Sequence, residues 1–206
     1  MGALRNLVRN ESRTMTGLWL YVRRREDGVD GDAVAVPYGA NGKAIFVVMA
    51  VVSAVEAGLF WLIDFGIVVD VVLLVLGVYS VLLVFGVYAG TVVRPHVVSS
   101  REVRVRWSSF YDVRIPRENV AALRHLKESH DPLKAQKFRD GTWLSHDNFY
   151  ETNLVAELRE PITVTRPLGK AETVRVVKFQ ADDPKAAVEA YVRLASEARR
   201  NRPRAG

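Results

Sequence analysis

Four histidines, His96, His125, His130 and His146, are the side chains best suited to hold a metal. No two stand four apart, as ligands on one helix face would, and no set of carboxylates accompanies them in a metal-binding pattern. Ser145, His146 and Asp147 supply the three side-chain types of a hydrolytic triad. Neighbours in sequence are not a triad, however, because the roles depend on spatial geometry. Asp27, Asp30 and Asp32 make an acidic run, but their spacing is not that of an EF-hand loop and no bidentate Glu follows at the right place. They read as solvated loop charges. Gly169-Lys170 lacks the rest of a phosphate loop, and neither G-x-S-x-G nor a dinucleotide fingerprint occurs. The chain has no cysteine, which removes disulfides, thiolate nucleophiles, Cys-bound zinc and iron–sulfur clusters. The residues imply no catalytic set, no cofactor and no metal, so a non-enzymatic role is expected.

One further acid is chemically notable for its surroundings. Glu56 lies in a block, residues 44–93, that contains no Lys, Arg or His and only two other acids, Asp64 and Asp70. A carboxylate in such a setting is costly unless it is protonated, paired or facing a cavity. Glu56 is either a proton or cation relay, or a protonated group bonded to Ser53 one turn away or to a partner helix. The second reading is preferred, because one acid without an intramembrane base makes a poor pathway.

The block itself sets the architecture. A spanning helix needs about 20 apolar residues, so this length suits two spans and a tight turn. The first is expected near Ala44–Ile63 and the second near Val68–Val92, with Asp64-Phe65-Gly66 as the turn. Ala50, Ala54 and Gly58 recur every four residues in the first span, and Gly86 and Gly90 form G-x-x-x-G in the second. Such small residues let helices pack closely, within the hairpin or between copies. Arg23, Arg24, Arg25 and Lys43 precede the block, and Arg94, Arg101 and Arg104 follow it. Positive flanks predict both termini on the cytoplasmic side and the turn outside. The first apolar core starts too late for a cleavable signal peptide.

Residues 1–25 alternate apolar and basic side chains at helical spacing, as in a helix lying in the headgroup region with Trp19 and Tyr21 at the interface. Residues 26–43 read as an acidic, glycine-containing loop. Residues 94–206 hold 22 basic and 15 acidic residues, so the whole chain's net charge of +6 is concentrated there. Val103, Val105 and Trp107 alternate with Arg104 and Arg106, a strand pattern. Phe110 to Ile115 resumes it, predicting a hairpin. Further strands are expected at Val120–Leu126, Trp143-Leu144, Asn153–Leu158, Ile162–Val164 and Thr173–Phe179. Residues 127–142 read as a long loop, and Pro161 as a break. Asp183-Pro184 is a helix start, and the helix should run to about Arg200. Residues 201–206 form a basic tail.

The stretch "RPHVVSSREVRVRWSSFYDVRIPRENVAALRHL", with Val113, Ile115, Pro116 and Val120 as "V-x-I-P-x-x-x-V", resembles uncharacterised bacterial integral membrane proteins that carry a pleckstrin-homology-like (PH-like) domain. The ending "VRVVKFQADDPKAAVEAYVRL" resembles that domain's last strand and helix. The resemblance implies a transmembrane helical hairpin plus an α+β PH-like domain of residues 94–200. That domain would be an antiparallel barrel or sheet of about seven strands capped by a C-terminal helix. It implies no catalytic residues. The expected protein is a multi-pass plasma-membrane interaction or assembly module. Trp107, Phe110, Tyr111, Trp143, Phe149 and Tyr150 would be partly core and partly available to a partner. Its partners would be membrane lipids, another membrane or cytoplasmic protein, or a second copy. Nucleic acid is disfavoured, since no recognition helix or stacking motif stands out. Alternatives are an oligomeric transport subunit using Glu56, and an anionic-lipid sensor using Arg23, Arg24, Arg25, Lys43, Arg94, Arg101 and Arg104.

Overall fold

A segment without charged or strongly polar side chains satisfies its backbone most readily as helix, and the middle of the chain forms two. The computed structural model describes residues 2–40, 42–61, 66–129, 141–144, 151–165 and 171–200. Helix α1 covers Gly2–Val22, α2 Lys43–Trp61 and α3 Ile67–Val93. Among the described residues, α3 is the one helix long and apolar enough to cross a membrane, and its most apolar 18-residue stretch is entirely unburied. The expected turn at Asp64-Phe65 lies outside the described residues.

Helices α2 and α3 pack together, but through different small residues from those expected. A Cβ added at Gly77 would come within 2.8 Å of the Ala57 Cβ. Gly58 faces open space and Ala54 is exposed, while Ala50 is buried. The glycines of α3 serve another partner. A Cβ at Gly86 would meet Thr14 Cγ2 at 2.6 Å, and Gly17 of α1 lies against Gly90. The paired numbers rise together, so α1 runs parallel to α3. It is therefore packed along α3 rather than standing free.

Strand β1 (Val34–Val36) sits inside the stretch expected to be only loop, and pairs antiparallel with β2 (His96–Val98). Strands β3 (Glu102–Trp107) and β4 (Tyr111–Pro116) form the expected hairpin and complete a sheet of order β1-β2-β3-β4. Because β1 precedes α2 and β2 follows α3, the helical excursion leaves from and returns to neighbouring strands.

The second sheet has order β5-β7-β8-β6. It contains β5 (Val120–Ser129), β6 (Thr142–Leu144), β7 (Glu151–Thr165) and β8 (Ala171–Phe179). The two strands expected around Pro161 are one strand, β7. Its register shifts between Glu157 and Ile162, and a bulge accommodates a proline that has no N–H to give. Strand β5 runs on through Ser129, so the expected loop starts later; residues 130–140 lie outside the described residues. Strand β6 pairs parallel with β8, which the expected all-antiparallel meander did not contain. The expected barrel of about seven strands is thus eight strands in two open sheets, and no strand pairing joins them among the described residues. They share one core that includes Val103, Ile115, Leu154, Val177 and Phe179.

Helix α4 (Pro184–Arg200) starts as expected: Asp183 Oδ1 accepts the Ala186 N–H at 2.9 Å. It buries Ala187, Ala190 and Leu194 on one stripe. The chain is therefore α+β, with four α-helices and two four-stranded sheets among the described residues. The tail at 201–206 lies outside the described residues.

Candidate functional site

Chemistry gathers where the helices meet the first sheet. Strand alternation sends Val103 and Val105 into the core, and Arg104 and Arg106 to the opposite face. That face would normally be wet, but residues 26–33 lie across it. Arg106 is fully buried. It donates from Nε to Pro95 O and from Nη1 to Asp27 O, both at 2.7 Å. Burial, and then the charge of Arg104, lower its pKa to about 10, so it stays protonated at neutral pH. Arg94, also buried, pairs with Asp27 at 3.1 Å and donates from Nη2 to Arg13 O. Arg94 Nη1 and Arg106 Nη2 are buried without a hydrogen-bond partner. Arg104 forms a two-pronged pair with Asp112, at 2.7 and 2.6 Å. Asp32 accepts the Ser100 N–H at 2.9 Å, and these Ser100 contacts hold its carboxyl below the usual range. Asp27 and Asp32 thus fasten a strap while keeping solvent contact: Asp32, like Asp30, is exposed, and the Asp27 side chain is 42% exposed.

His96 belongs to the same seam. Its Nδ1 accepts the Arg106 N–H at 2.9 Å, which leaves Nε2 as the donor to Gln180 O at 3.0 Å. The ring stacks on Tyr38 and meets the Phe179 ring edge-on. It is a structural histidine. His125 is exposed, and His130, His146, Ser145 and Asp147 lie outside the described residues, as do Phe149 and Tyr150. Among the described residues no three His, Cys, Asp or Glu side chains are grouped to hold a metal.

The seven flanking basic residues do not form one face. Arg94 and Arg104 are held in internal ion pairs, and both guanidinium groups are largely covered, which removes them as lipid contacts. Lys43 and Arg101 are exposed. Arg23 lies over the Trp19 ring at 4.2 Å. Arg24 and Arg25 line a cleft of about 470 Å3 between the C-terminal ends of α1 and α3, with Tyr21, Glu26 and the apolar Val22 and Val92.

A second pocket, of about 560 Å3, opens among α1, α2 and α3. Met49, Leu83, Val87 and Phe110 make it apolar, and Tyr79 donates to Glu11 at its rim. Glu56 is in neither place. It is exposed on α2, with Ser53 half-buried beside it. Of the aromatic set, Tyr111 and Trp143 are buried in the core, and Trp107 and Phe110 are stacked and partly exposed. Sequence reasoning missed the Asp27–Arg94 pair and the strap. A signal existed, since acids in 26–33 stand opposite a run of arginines in 94–106.

Compared with known proteins, the chain matches no family model, no curated protein and no solved structure.

Proposed function

We propose that the chain is a membrane-anchored, non-enzymatic interaction or assembly module whose two-sheet, PH-like domain is held against one face of a bacterial plasma membrane. The observation that carries this reading is the β1–β2 pairing at the two ends of the helical excursion, combined with the bare apolar surface of α3. A chain that leaves a sheet and returns to its neighbouring strand crosses a bilayer an even number of times. If α3 crosses, α2 is the return crossing; its 19 residues reach about 29 Å, close to the roughly 30 Å hydrocarbon thickness. The exposed Arg23, Arg24, Arg25, Lys43 and Arg101 favour the cytoplasmic side for the two-sheet domain and for the C-terminal ends of α1 and α3, whereas the start of α1, parallel to α3, runs back toward the far side rather than staying cytoplasmic.

The seam explains why the domain would be held rather than tethered. Asp27 bonds to both the end of α3 and the sheet, and Ser108 Oγ donates to Val87 O at 2.8 Å. A fixed orientation suits a module that presents a surface to another membrane protein, a cytoplasmic protein or a second copy. Transport through Glu56 has less support, because Glu56 is exposed and lines neither pocket, and two helices enclose no path.

Carbonate extraction followed by crosslinking in intact membranes tests this. The protein should stay in the pellet and crosslink reproducibly to one partner or to itself. Release by carbonate, or recovery of the uncrosslinked chain alone, would sink the reading.

A further inference from the structure

We propose that the cleft at the C-terminal ends of α1 and α3 binds the phosphate of an anionic membrane lipid, with Arg24, Arg25 and Tyr21 on the headgroup and Val22 and Val92 against the start of its chain. The proposal rests on the membrane reading above, and three observations narrow it to this place.

The first is depth. At about 1.5 Å per residue, the 27 residues of α3 span about 40 Å, the hydrocarbon core plus a headgroup layer. The unburied apolar stretch fills the core, which leaves Val92 and Val93 at headgroup level. Val22 there is 75% exposed, Val92 42% and Trp19 52%. An aromatic and aliphatic rim beside basic residues is the composition of a bilayer interface.

The second is backbone strain. The Arg24 N–H bonds to Tyr21 O and the Arg25 N–H to Leu20 O, so α1 ends in a Schellman motif. The left-handed position of that motif usually takes glycine, yet Arg24 occupies it at φ 51°. Strain of this kind persists where the side chain has a task. Here Arg24 is one of the residues lining the cleft.

The third is charge. Glu26 lines the cleft with Arg24 and Arg25, leaving one net positive charge, and Arg23, next in sequence, lies over the Trp19 ring. The next acid, Asp27, cannot neutralise the arginines, because Arg94 holds it. Guanidinium groups grip phosphate through paired N–H donors, and the Tyr21 hydroxyl can add one more. An apolar flank joined to a phosphate grip suits a lipid better than a free ion.

The test uses the full chain reconstituted in phosphatidylcholine vesicles, with spin-labelled phosphatidic acid and spin-labelled phosphatidylcholine as probes. The fraction of motionally restricted label reads the preference. Wild type should restrict phosphatidic acid more strongly, and the R24G/R25Q double variant should lose roughly fivefold in relative affinity per arginine removed. The fold should survive, because glycine relieves the strain at 24. E26Q should raise the preference. R101Q, an exposed arginine outside the cleft, should leave it unchanged. Equal restriction of both probes by wild type, retention of the preference in R24G/R25Q, or equal loss in R101Q would each overturn the site. Displacement of the labelled lipid by millimolar inorganic phosphate would overturn a lipid as its occupant. Carbonate extraction separates the two levels: a wild type released from membranes defeats the anchor and the site together. One that stays but shows no lipid preference defeats the site alone.

Discussion

Asp112 shows how a single carboxyl couples the first sheet to pH. Burial would raise its pKa, but the Arg104 hydrogen bonds, with the charges of Arg104, Arg106 and Arg114, outweigh burial and hold it below its usual range. Arg104 is raised in turn, mainly by the same hydrogen bond. A carboxyl depressed in the folded state contributes stability that is fully present above its unfolded pKa, about 3.9. That contribution is lost as pH falls through the lower folded value. The unfolding midpoint should therefore drop as acid is added below about pH 4. Asp112→Asn should cost roughly 1–3 kcal/mol at neutral pH, because it leaves Arg104 nearly buried without its charge partner. Its curve should meet that of wild type at the acid end. Thermal unfolding of both proteins in detergent across pH 2–7 checks this, and parallel curves that never converge would assign the acid sensitivity elsewhere. The seam arginines were hard to read from sequence for a related reason. Alternation marks Arg104 and Arg106 as solvent-facing, and only the strap from residues 26–33 makes that face interior.

Elements were legible where one periodicity served one partner. The β3–β4 hairpin follows from strict alternation on a single buried face, and α4 follows from Asp183-Pro184 and an apolar stripe. The errors fall where an element has two partners or a short one. Strand β1 has three residues, too few for a pattern to emerge. Strand β7 reads as two strands at Pro161, because proline's missing donor suggests a stop where a bulge can equally absorb it. Gly86 and Gly90 lie in close approaches, to Thr14 and Ser108, and spacing cannot say which neighbour a glycine admits. Their roles can be separated by adding one methyl group. A Cβ at Gly90 would overlap Ser108 Oγ and press on the Ser108 Cβ and Cα at 3.1 and 3.2 Å. Gly90→Ala should therefore lose about 1–3 kcal/mol. Gly58→Ala enters open space and should be neutral, or gain up to about 1 kcal/mol from helix propensity. Unfolding midpoints for the two variants, measured in the same detergent, decide the matter. Similar losses at both positions would mean that Gly58 is covered in the membrane, as packing between copies requires.

At the scale of the whole molecule, the membrane reading reduces to a count of crossings, and the absence of cysteine makes that count measurable. A single introduced thiol reports its side of the membrane with no background. Asp30, before β1, and Glu160, in β7, are exposed, and each contributes a backbone bond that a new side chain leaves intact. Ile67 begins α3 and is 78% exposed. Because β1 and β2 share a ladder, Asp30→Cys and Glu160→Cys must lie on one side whatever the membrane does. Positive flanks put that side in the cytoplasm, so both should react with an impermeant maleimide only after lysis. Ile67→Cys lies at the far end of α3 and should react in intact cells. Reaction of all three only after lysis would mean that α3 does not cross. The apolar surface of α2 and α3 would then need a protein partner or a second copy to cover it. Reaction of Asp30→Cys and Glu160→Cys from outside, with Ile67→Cys reacting only after lysis, would keep the count of two but reverse the orientation, and the arginines near the cleft would then face the outer leaflet. Asp30 and Glu160 on opposite sides would break the β1–β2 ladder itself, since paired strands cannot be separated by a bilayer.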